Sequence, residues 1–224
     1  QIWMTRKVDG VWTPGTRFVV DGITGDTNCP VFVPGDDGMY FLNVNQLVFT
    51  IYHVTRTESG WGNPVALDLN IPVGKILGWS FSIADNHNVY FSLWPTDGLE
   101  PAKIYYCIYQ DGVYGDPIAI DVLNVSTVDT GRPCIAPDES YILFDAVLSS
   151  GRGQHDIYVS FKNDMGVFAA PISLGALINS SEEDSSPQLT ADGKYLFFMT
   201  YKAGDMGYNA YWIELEEIPI FAVQ

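Results

Sequence analysis

The 224-residue sequence has few basic residues for its size. It carries 11 Lys and Arg against 27 Asp and Glu, and its formal net charge is −16 at pH 7. Nucleic-acid binding requires clustered Lys and Arg that displace counterions from phosphates, and anionic membranes attract the same residues. We therefore expect no nucleic-acid partner. An acidic surface suits cationic partners or Ca²⁺, or simply keeps a β-rich protein soluble.

Several signals of catalysis and membrane insertion are also absent from the sequence. No apolar run approaches the roughly 20 residues that a membrane-spanning helix needs. Neither a Gly-x-Ser-x-Gly nucleophile motif nor a His-Glu-x-x-His metal motif occurs. The three cysteines are an odd number without a Cys-x-x-Cys pair, which implies no disulfide framework. We therefore predict no membrane insertion and no dedicated cofactor, and we assign no catalytic residue.

One 12-residue pattern is present four times. It covers segments 30–41, 80–91, 133–144 and 187–198, and each copy ends in a phenylalanine. These phenylalanines, Phe41, Phe91, Phe144 and Phe198, follow one another at intervals of 50, 53 and 54 residues. A fixed period of this size is typical of one supersecondary unit that is copied in series and packed against its neighbours.

Each copy contains four short β-rich stretches, which we label strands A to D from the inside outward. Turns rich in Asp and Gly separate them, as at 34–38 and 192–193, because these residues tolerate the positive φ of tight hairpins. Starts of C strands are predicted at 2–4, 47–49, 104–106, 157–159 and 210–212, and D strands at 18–20, 65–67, 118–120 and 172–174. The pattern predicts an all-β fold, a β-propeller of four-stranded antiparallel blades.

The period also suggests how the chain is divided. We predict a single propeller domain over residues 1–224, with a partial unit at 1–24 and blades at 25–70, 71–123, 124–178 and 179–224. Because a C strand opens the chain, we expect that an A–B pair preceded Gln1 in the natural protein and that the intact ring has five or six blades. The repeated aromatics should form the core between blades, so burial is predicted for Phe41, Phe144, Tyr158, Phe168 and Phe198.

Two segments carry a resemblance to a known family. Residues 186–198, with a Ser-Pro start and an Asp-Gly turn, and the Asp-Ile-Tyr strand at 156–158 are similar to the TolB-like, WD40-like propeller repeat. The second copy is less similar, because Ala84-Asp-Asn-His87 replaces the usual turn. The resemblance implies a propeller and a bacterial periplasmic, cell-surface or secreted location. Members of the family serve as interaction platforms, as envelope proteins and as propeller domains of hydrolases.

Strand direction predicts where a site would form. Strands A and C run one way and strands B and D the other, so the D–A and B–C connections share the face at the channel mouth. The predicted ligand-binding residues on that face are Asp26, Asn28, Trp79, Asp129, Arg132 and Asp184, and the same connections carry Glu183 and His155. Two interpretations remain open for Arg132. It orients a small polar ligand together with the acids, or it pairs with Asp129 or Asp184 and stiffens the loops.

These observations support two functional hypotheses. The first is a non-enzymatic propeller that binds a protein or a small polar ligand, such as a carbohydrate stacked on Trp79, at the channel mouth. The alternative is a hydrolase, lyase or lactonase, or an accessory domain of such an enzyme, that uses the channel-mouth carboxylates with or without a divalent metal. On the first hypothesis, Arg132→Ala weakens ligand binding and leaves the melting temperature nearly unchanged.

Overall fold

Short antiparallel strands make up nearly all of the regular structure in the computed structural model, which describes residues 1–126, 128–201, 204 and 206–222. The described residues contain no α-helix and one short 3-10 turn at Leu215–Glu217. They divide into two units, Gln1–Asp68 (unit 1) and Leu69–Gln224 (unit 2). Both units contain four-stranded blades of the predicted kind, one in unit 1 and two in unit 2.

Unit 1 contains two small ladders followed by the first blade. The strands are β1 (Trp3–Met4), β2 (Lys7–Val8), β3 (Val11–Trp12), β4 (Thr16–Arg17), β5 (Asp26–Val31), β6 (Gly38–Asn45), β7 (Val48–Thr57), β8 (Gly60–Trp61) and β9 (Val65–Ala66). Strand β1 pairs with β4, and β2 with β3. Blade 1 has the order β5-β6-β7-β9, and β8 forms a hairpin with the end of β7.

Unit 2 contains three successive blades. Blade 2 consists of β10 (Lys75–Ile83), β11 (Val89–Pro95), β12 (Lys103–Cys107) and β15 (Ile118–Ala119), with a side hairpin of β13 (Tyr109–Gln110) and β14 (Val113–Tyr114). Blade 3 consists of β16 (Thr130–Ile135), β17 (Tyr141–Ala146), β18 (Asp156–Phe161) and β19 (Ile172–Ser173). Blade 4 has three strands in the described residues, β20 (Glu183–Leu189), β21 (Tyr195–Tyr201) and β22 (Tyr208–Glu214). The predicted fold class, an all-β propeller of four-stranded blades, is confirmed.

The repeated aromatics form the core in the way that the period predicts. Phe41, Phe144, Phe198, Tyr158 and Phe168 are all buried. In three blades the phenylalanine of strand B stacks on a tyrosine of strand C, with ring centroids 5.7 Å apart for Phe41–Tyr52, 6.0 Å for Phe144–Tyr158 and 5.9 Å for Phe198–Tyr211. These cross-strand pairs fix the register of the two central strands in each blade.

Two predicted strand positions were wrong in detail. The predicted D strand at 18–20 is instead a connection in which Phe18 and Val20 are buried and Val19 is exposed, and the short ladder precedes it at Thr16–Arg17. Leu47 does not begin a strand, because Gln46 and Leu47 both have positive φ and form the turn between β6 and β7. The hairpin at this point is therefore tighter than in the other blades.

Every inner strand carries an irregularity at the same place. The pairing between strands A and B shifts register between Asn28 and Val31, between Leu77 and Phe81, between Gly131 and Cys134, and between Ser185 and Gln188. In three of these four bulges one residue has a positive φ, namely Cys29 (49°), Arg132 (47°) and Ser186 (55°). A bulge redirects a side chain out of the regular alternation of a strand. It therefore decides where Arg132 points.

Candidate ligand-binding site

The predicted site residues lie in both units. In unit 1, Asp26 and Asn28 are on β5, where they hold the first residue of the chain: Gln1 Nε2 donates to Asp26 Oδ1 at 3.0 Å, and the terminal amine donates to Asn28 Oδ1 at 3.3 Å. Trp79, Asp129, Arg132 and Asp184 belong to unit 2. The charged groups that come together are in blades 3 and 4 of that unit.

A buried ion pair forms the centre of this arrangement. Arg132 Nε donates to Asp145 Oδ2 at 2.6 Å, and the backbone N–H of Ser186 in blade 4 donates to the same oxygen at 2.9 Å. The Asp145 side chain is 0% exposed. A fully buried carboxylate is retained only where hydrogen bonds and a cation compensate the lost hydration. Arg132 is therefore the cation that compensates the buried carboxylate of Asp145.

His155 lies against both members of the ion pair. Its Nδ1 is 3.3 Å from Asp145 Oδ1 and 3.3 Å from Arg132 Nη2. A neutral ring with a bare Nδ1 accepts a hydrogen bond from Arg132, whereas a protonated ring forms an ion pair with Asp145. Burial alone would lower the pKa of His155, but the Asp145 carboxylate outweighs burial, so the pKa lies above its usual value.

Two further acids surround the guanidinium. Arg132 Nη2 lies 4.0 Å from Glu183 Oε1. Burial, with repulsion from Asp145, raises the pKa of Asp129, although the charges of His155 and Arg132 oppose this shift. The hydroxyl of Tyr208 is hydrogen-bonded to Glu183. Burial and this hydrogen bond raise the pKa of Tyr208. We call Asp129, Arg132, Asp145, His155 and Glu183 the charged cluster.

One carboxylate oxygen of the charged cluster has no hydrogen-bond donor among the described residues. Asp129 Oδ1 is buried and accepts no hydrogen bond. Asp145 Oδ1 is also buried, but the His155 ring lies 3.3 Å from it, and the hydrogen bond between them contributes to the raised pKa of His155. Buried acceptors are normally satisfied, so the Asp129 oxygen requires an explanation.

The loops around the cluster hold its residues in place. Asp184 N–H donates to His155 O at 2.8 Å, and Gln154 N–H donates to Glu182 O at 2.8 Å. Gly153 allows this approach, because a Cβ there would collide with the Glu182 carbonyl. The B–C connection of blade 3 is thereby fastened to the strand that opens blade 4. This contact sets His155 beside Glu183.

Asp184 itself has a structural role in blade 4. It is fully buried, and its Oδ2 accepts from the Ser180 hydroxyl at 2.9 Å and from the Ser180 backbone N–H. Its Oδ1 accepts from Thr200 Oγ1 at 2.7 Å. Both oxygens are occupied, so we leave Asp184 out of the charged cluster. The expected pairing of Arg132 with Asp129 or Asp184 is corrected by the structure, since Asp145 accepts its hydrogen bond.

Trp79 is an exposed aromatic in blade 2. It lies within the bulge of β10, and its side chain is 55% exposed. Trp94 lies close to the neighbouring Gly78, since a Cβ at this position would be 3.1 Å from Trp94 Nε1.

Sequence reasoning missed Asp145, although the repeat contained a signal for it. Asp145 directly follows the repeated Phe144, where the other three copies have Leu42, Ser92 and Met199. A carboxylate that replaces an apolar or small residue in a central strand needs a cation nearby. Comparing each copy at that position would have led from Asp145 to Arg132.

No group of three or more His, Cys, Asp or Glu side chains among the described residues is placed to hold a metal ion. The larger cavities of unit 2 are lined by other residues. One of about 590 Å³ is lined by Tyr141, Tyr195 and Phe221 among others, and one of about 290 Å³ by Tyr90, Tyr106 and Phe168 among others. Charged side chains also line both cavities, Lys194, Glu214 and Glu216 in the first and Asp121 and Lys162 in the second, and neither contains an unsatisfied buried carboxylate.

The raised pKa of His155 predicts a pH-dependent stability. Protonation of His155 stabilises the folded state, and this contribution is complete below its unfolded pKa of about 6.5. It is lost as the pH rises through the higher folded-state pKa. We therefore expect the free energy of unfolding, measured by urea titration, to fall above about pH 6.5 and His155→Gln to reduce that fall. His87→Asn is the control, because His87 contacts Tyr109 in blade 2. Equal pH profiles for wild type and His155→Gln would contradict the assignment.

This chain is similar to known proteins in its fold only. No protein-family model and no curated protein matches the sequence significantly. Among solved structures, TolB from Acinetobacter baumannii is similar with a TM-score of 0.57 and 13% identity over 86% of this chain and 42% of that chain. The NanB sialidase from Streptococcus pneumoniae is similar with a TM-score of 0.56 and 12% identity, over 96% of this chain and 36% of that chain. Xylan β-1,4-xylosidase from Bacillus halodurans C-125 is similar with a TM-score of 0.53 and 14% identity, over 86% of this chain and 42% of that chain. This chain therefore spans about two fifths of the length of these proteins.

No helix in the described residues is both long and apolar enough to cross a membrane.

Proposed function

We propose that this protein is a non-enzymatic β-propeller binding module that recognises a small polar ligand, or a polar side chain of a protein partner, at the charged cluster. The observation that carries the proposal is a buried carboxylate oxygen without a donor among the described residues, Asp129 Oδ1, within a cluster of charged side chains. Leaving a buried acceptor unsatisfied costs about 1–3 kcal/mol, and more when it is charged. A bound ligand with hydrogen-bond donors would offset that cost.

The composition of the cluster favours binding over catalysis. His155 is the only imidazole in the cluster, and among the described residues no Ser or Cys side chain is hydrogen-bonded to it. A nucleophile activated by a base needs such a contact. Arg132 is hydrogen-bonded to Asp145, so the pair offers a ligand a rigid polar surface.

One observation favours a second candidate, a glycoside hydrolase. Burial and the nearby carboxylate of Asp145 raise the pKa of Asp129, and a raised carboxyl pKa beside a second acid is typical of a catalytic proton donor. On this alternative Asp129 protonates the leaving group. Turnover of an aryl glycoside that Asp129→Asn abolishes would favour this alternative over binding alone.

On the resemblance of its repeats to the TolB-like family, we also propose a periplasmic, cell-surface or secreted location.

The binding proposal is tested with a ligand panel and two matched variants. Neutral sugars, amino sugars, sugar acids and short peptides are titrated calorimetrically against wild type, Asp129→Asn and Asp164→Asn. Asp164 is an exposed acid in the C–D turn of blade 3, away from the cluster. We expect at least one compound to bind wild type and Asp164→Asn alike and Asp129→Asn about 10-fold more weakly. Equal affinity for all three proteins, or no binding by any compound, would contradict the proposal.

A further inference from the structure

We infer that the outer edge of strand β22 is a docking site for an extended segment of a partner protein, which adds to blade 4 as its fourth strand. The segment carries Pro, then Val or Ile, then Ala or Ser, then Leu or Ile, with basic residues before the proline. This inference is independent of the charged cluster and of the proposed function.

The three four-stranded blades show what lies beside strand C. In each of them strand D pairs antiparallel with the same part of strand C, at Tyr52–His53, Tyr105–Tyr106 and Tyr158–Val159. The paired segments 64–67, 117–120 and 171–174 read Pro-Val-Ala-Leu, Pro-Ile-Ala-Ile and Pro-Ile-Ser-Leu. One four-residue pattern therefore occupies the same edge in three blades.

The last residue of each segment is fixed by a backbone hydrogen bond to strand C. Leu67 N–H donates to Ile51 O at 2.8 Å, and Ile120 N–H donates to Ile104 O at 3.1 Å. In blade 3 the Leu174 N–H donates to the Ile157 carbonyl at 3.1 Å. The N–H and C=O groups of alternate residues of strand C thus point outward to strand D.

Strand β22 presents the same edge, but no strand lies beside it in the part of the chain that the structure describes. The order of blade 4 is β20-β21-β22. Tyr211 pairs with Phe198 as Tyr158 pairs with Phe144, so Ala210 and Trp212 occupy the positions of Ile157 and Val159. The backbone groups of Ala210 and Trp212 therefore point outward. An edge strand of this kind is a template for the addition of another strand.

The apolar face that adjoins this edge is also exposed. Trp212 is 62% exposed and Phe197 is 44% exposed, whereas Val159 and Leu143 at the equivalent positions of blade 3 are buried. In blade 3 these positions belong to the core that blade 4 covers, and Leu174 of strand D contributes to the same core. The last apolar residue of a docked segment would lie on this face of blade 4 and cover part of it. The docking surface therefore continues the packing already present between blades 3 and 4.

The last described residues of the chain pack elsewhere. The ring centroid of Phe221 lies 5.0 Å from that of Tyr141 and 5.6 Å from that of Phe161, both in blade 3. Ile218 is buried in the core between blades 3 and 4. Residues 218–222 therefore do not form the fourth strand of blade 4.

Charge favours a partner protein over a second copy of this chain. Residues 208–217 include Glu214, Glu216 and Glu217 but no Lys or Arg. Antiparallel pairing brings the residues before the proline of the docked segment to this acidic end of β22. Lys or Arg in the partner would be attracted there, whereas a second copy, with its net charge of −16, would be repelled.

The experiment uses three fluorescein-labelled peptides and fluorescence anisotropy. The first has the sequence of residues 168–174 preceded by two lysines, the second has two glutamates instead, and the third is the lysine peptide with the isoleucine nitrogen methylated. In blade 3 this isoleucine, Ile172, lies opposite Val159 in the ladder. We expect the lysine peptide to bind wild type about 10-fold more tightly than either control, because each control removes a charge attraction or a backbone hydrogen bond. Hydrogen exchange of the Ala210 and Trp212 amides should slow when the lysine peptide binds.

Two variants of one residue locate the site on the protein. Trp212→Pro removes an outward N–H and leaves the ladder between β21 and β22, because proline is tolerated where the N–H of an edge strand faces solvent. We expect it to weaken the lysine peptide about 10-fold. Trp212→Val introduces the residue of blade 3 and should bind within about threefold of wild type. Asp129→Asn should not alter peptide affinity, because Asp129 belongs to the charged cluster.

The other outcomes would overturn the inference. Equal binding of the methylated and unmethylated lysine peptides would show that no strand is added, and this comparison does not depend on how well Trp212→Pro folds. Absence of binding by the lysine peptide would exclude the predicted segment. A dimer in sedimentation equilibrium that Trp212→Pro dissociates would assign the edge to a second copy. None of these results would bear on the ligand proposed for the charged cluster.

Discussion

Arg132→Ala is expected to lower the free energy of unfolding by about 3–5 kcal/mol, because it leaves the carboxylate of Asp145 buried without its cation. The Ser186 N–H and His155 remain close to Asp145, but they do not replace a guanidinium held at 2.6 Å. Equilibrium denaturation in urea at pH 7.5 measures the effect under conditions where His155 carries less positive charge.

A double variant controls for the loss of packing. Arg132→Met combined with Asp145→Asn removes both charges and keeps a similar volume, so it should recover part of the stability lost by Arg132→Ala. A loss below about 1 kcal/mol for Arg132→Ala would mean that Asp145 is compensated by another group. The sequence alone predicted little change in melting temperature for this variant, because Asp145 had not been recognised as the partner of Arg132.

Phe198→Ala is expected to cost about 3–5 kcal/mol by opening a cavity in the core between blades 3 and 4. Phe198 is 7% exposed and belongs to a cluster with Ile157 and Leu196. Urea denaturation of wild type and variant measures the difference.

The neighbouring residue provides a matched control. Phe197 precedes Phe198 on the same strand, points to the opposite face and is 44% exposed. We expect Phe197→Ala to cost about 1 kcal/mol, because less apolar surface is lost. Similar losses for the two variants would mean that the repeat does not define the core.

The sequence predicted the architecture because the repeat contains redundant information. Each blade repeats its aromatic pair, its turns and its order of strands, so a weak signal in one copy is corrected by the others. The bulge of the inner strand could not be predicted in this way. It depends on how strand A pairs with strand B, and positive φ at Cys29, Arg132 and Ser186 is uncommon for residues that are not glycine.

The charged cluster was only partly predictable. Strand direction placed Asp129, Arg132, Glu183 and His155 on one face, and the structure brings these four together around Asp145. The role of Asp184 followed from local hydrogen bonds with Ser180 and Thr200, which its position in the repeat does not reveal. Asp26, Asn28 and Trp79 stay predictions as ligand-binding residues. They lie on the first strands of blades 1 and 2.

The most direct test of the central claim is a crystal structure of the protein with the tightest-binding compound of the panel. The account predicts a hydrogen-bond donor of the ligand within hydrogen-bond distance of Asp129 Oδ1, with the Arg132–Asp145 ion pair unchanged. A ligand bound instead in the cavity lined by Tyr141, Tyr195 and Phe221 among others, with Asp129 Oδ1 still without a donor, would contradict it.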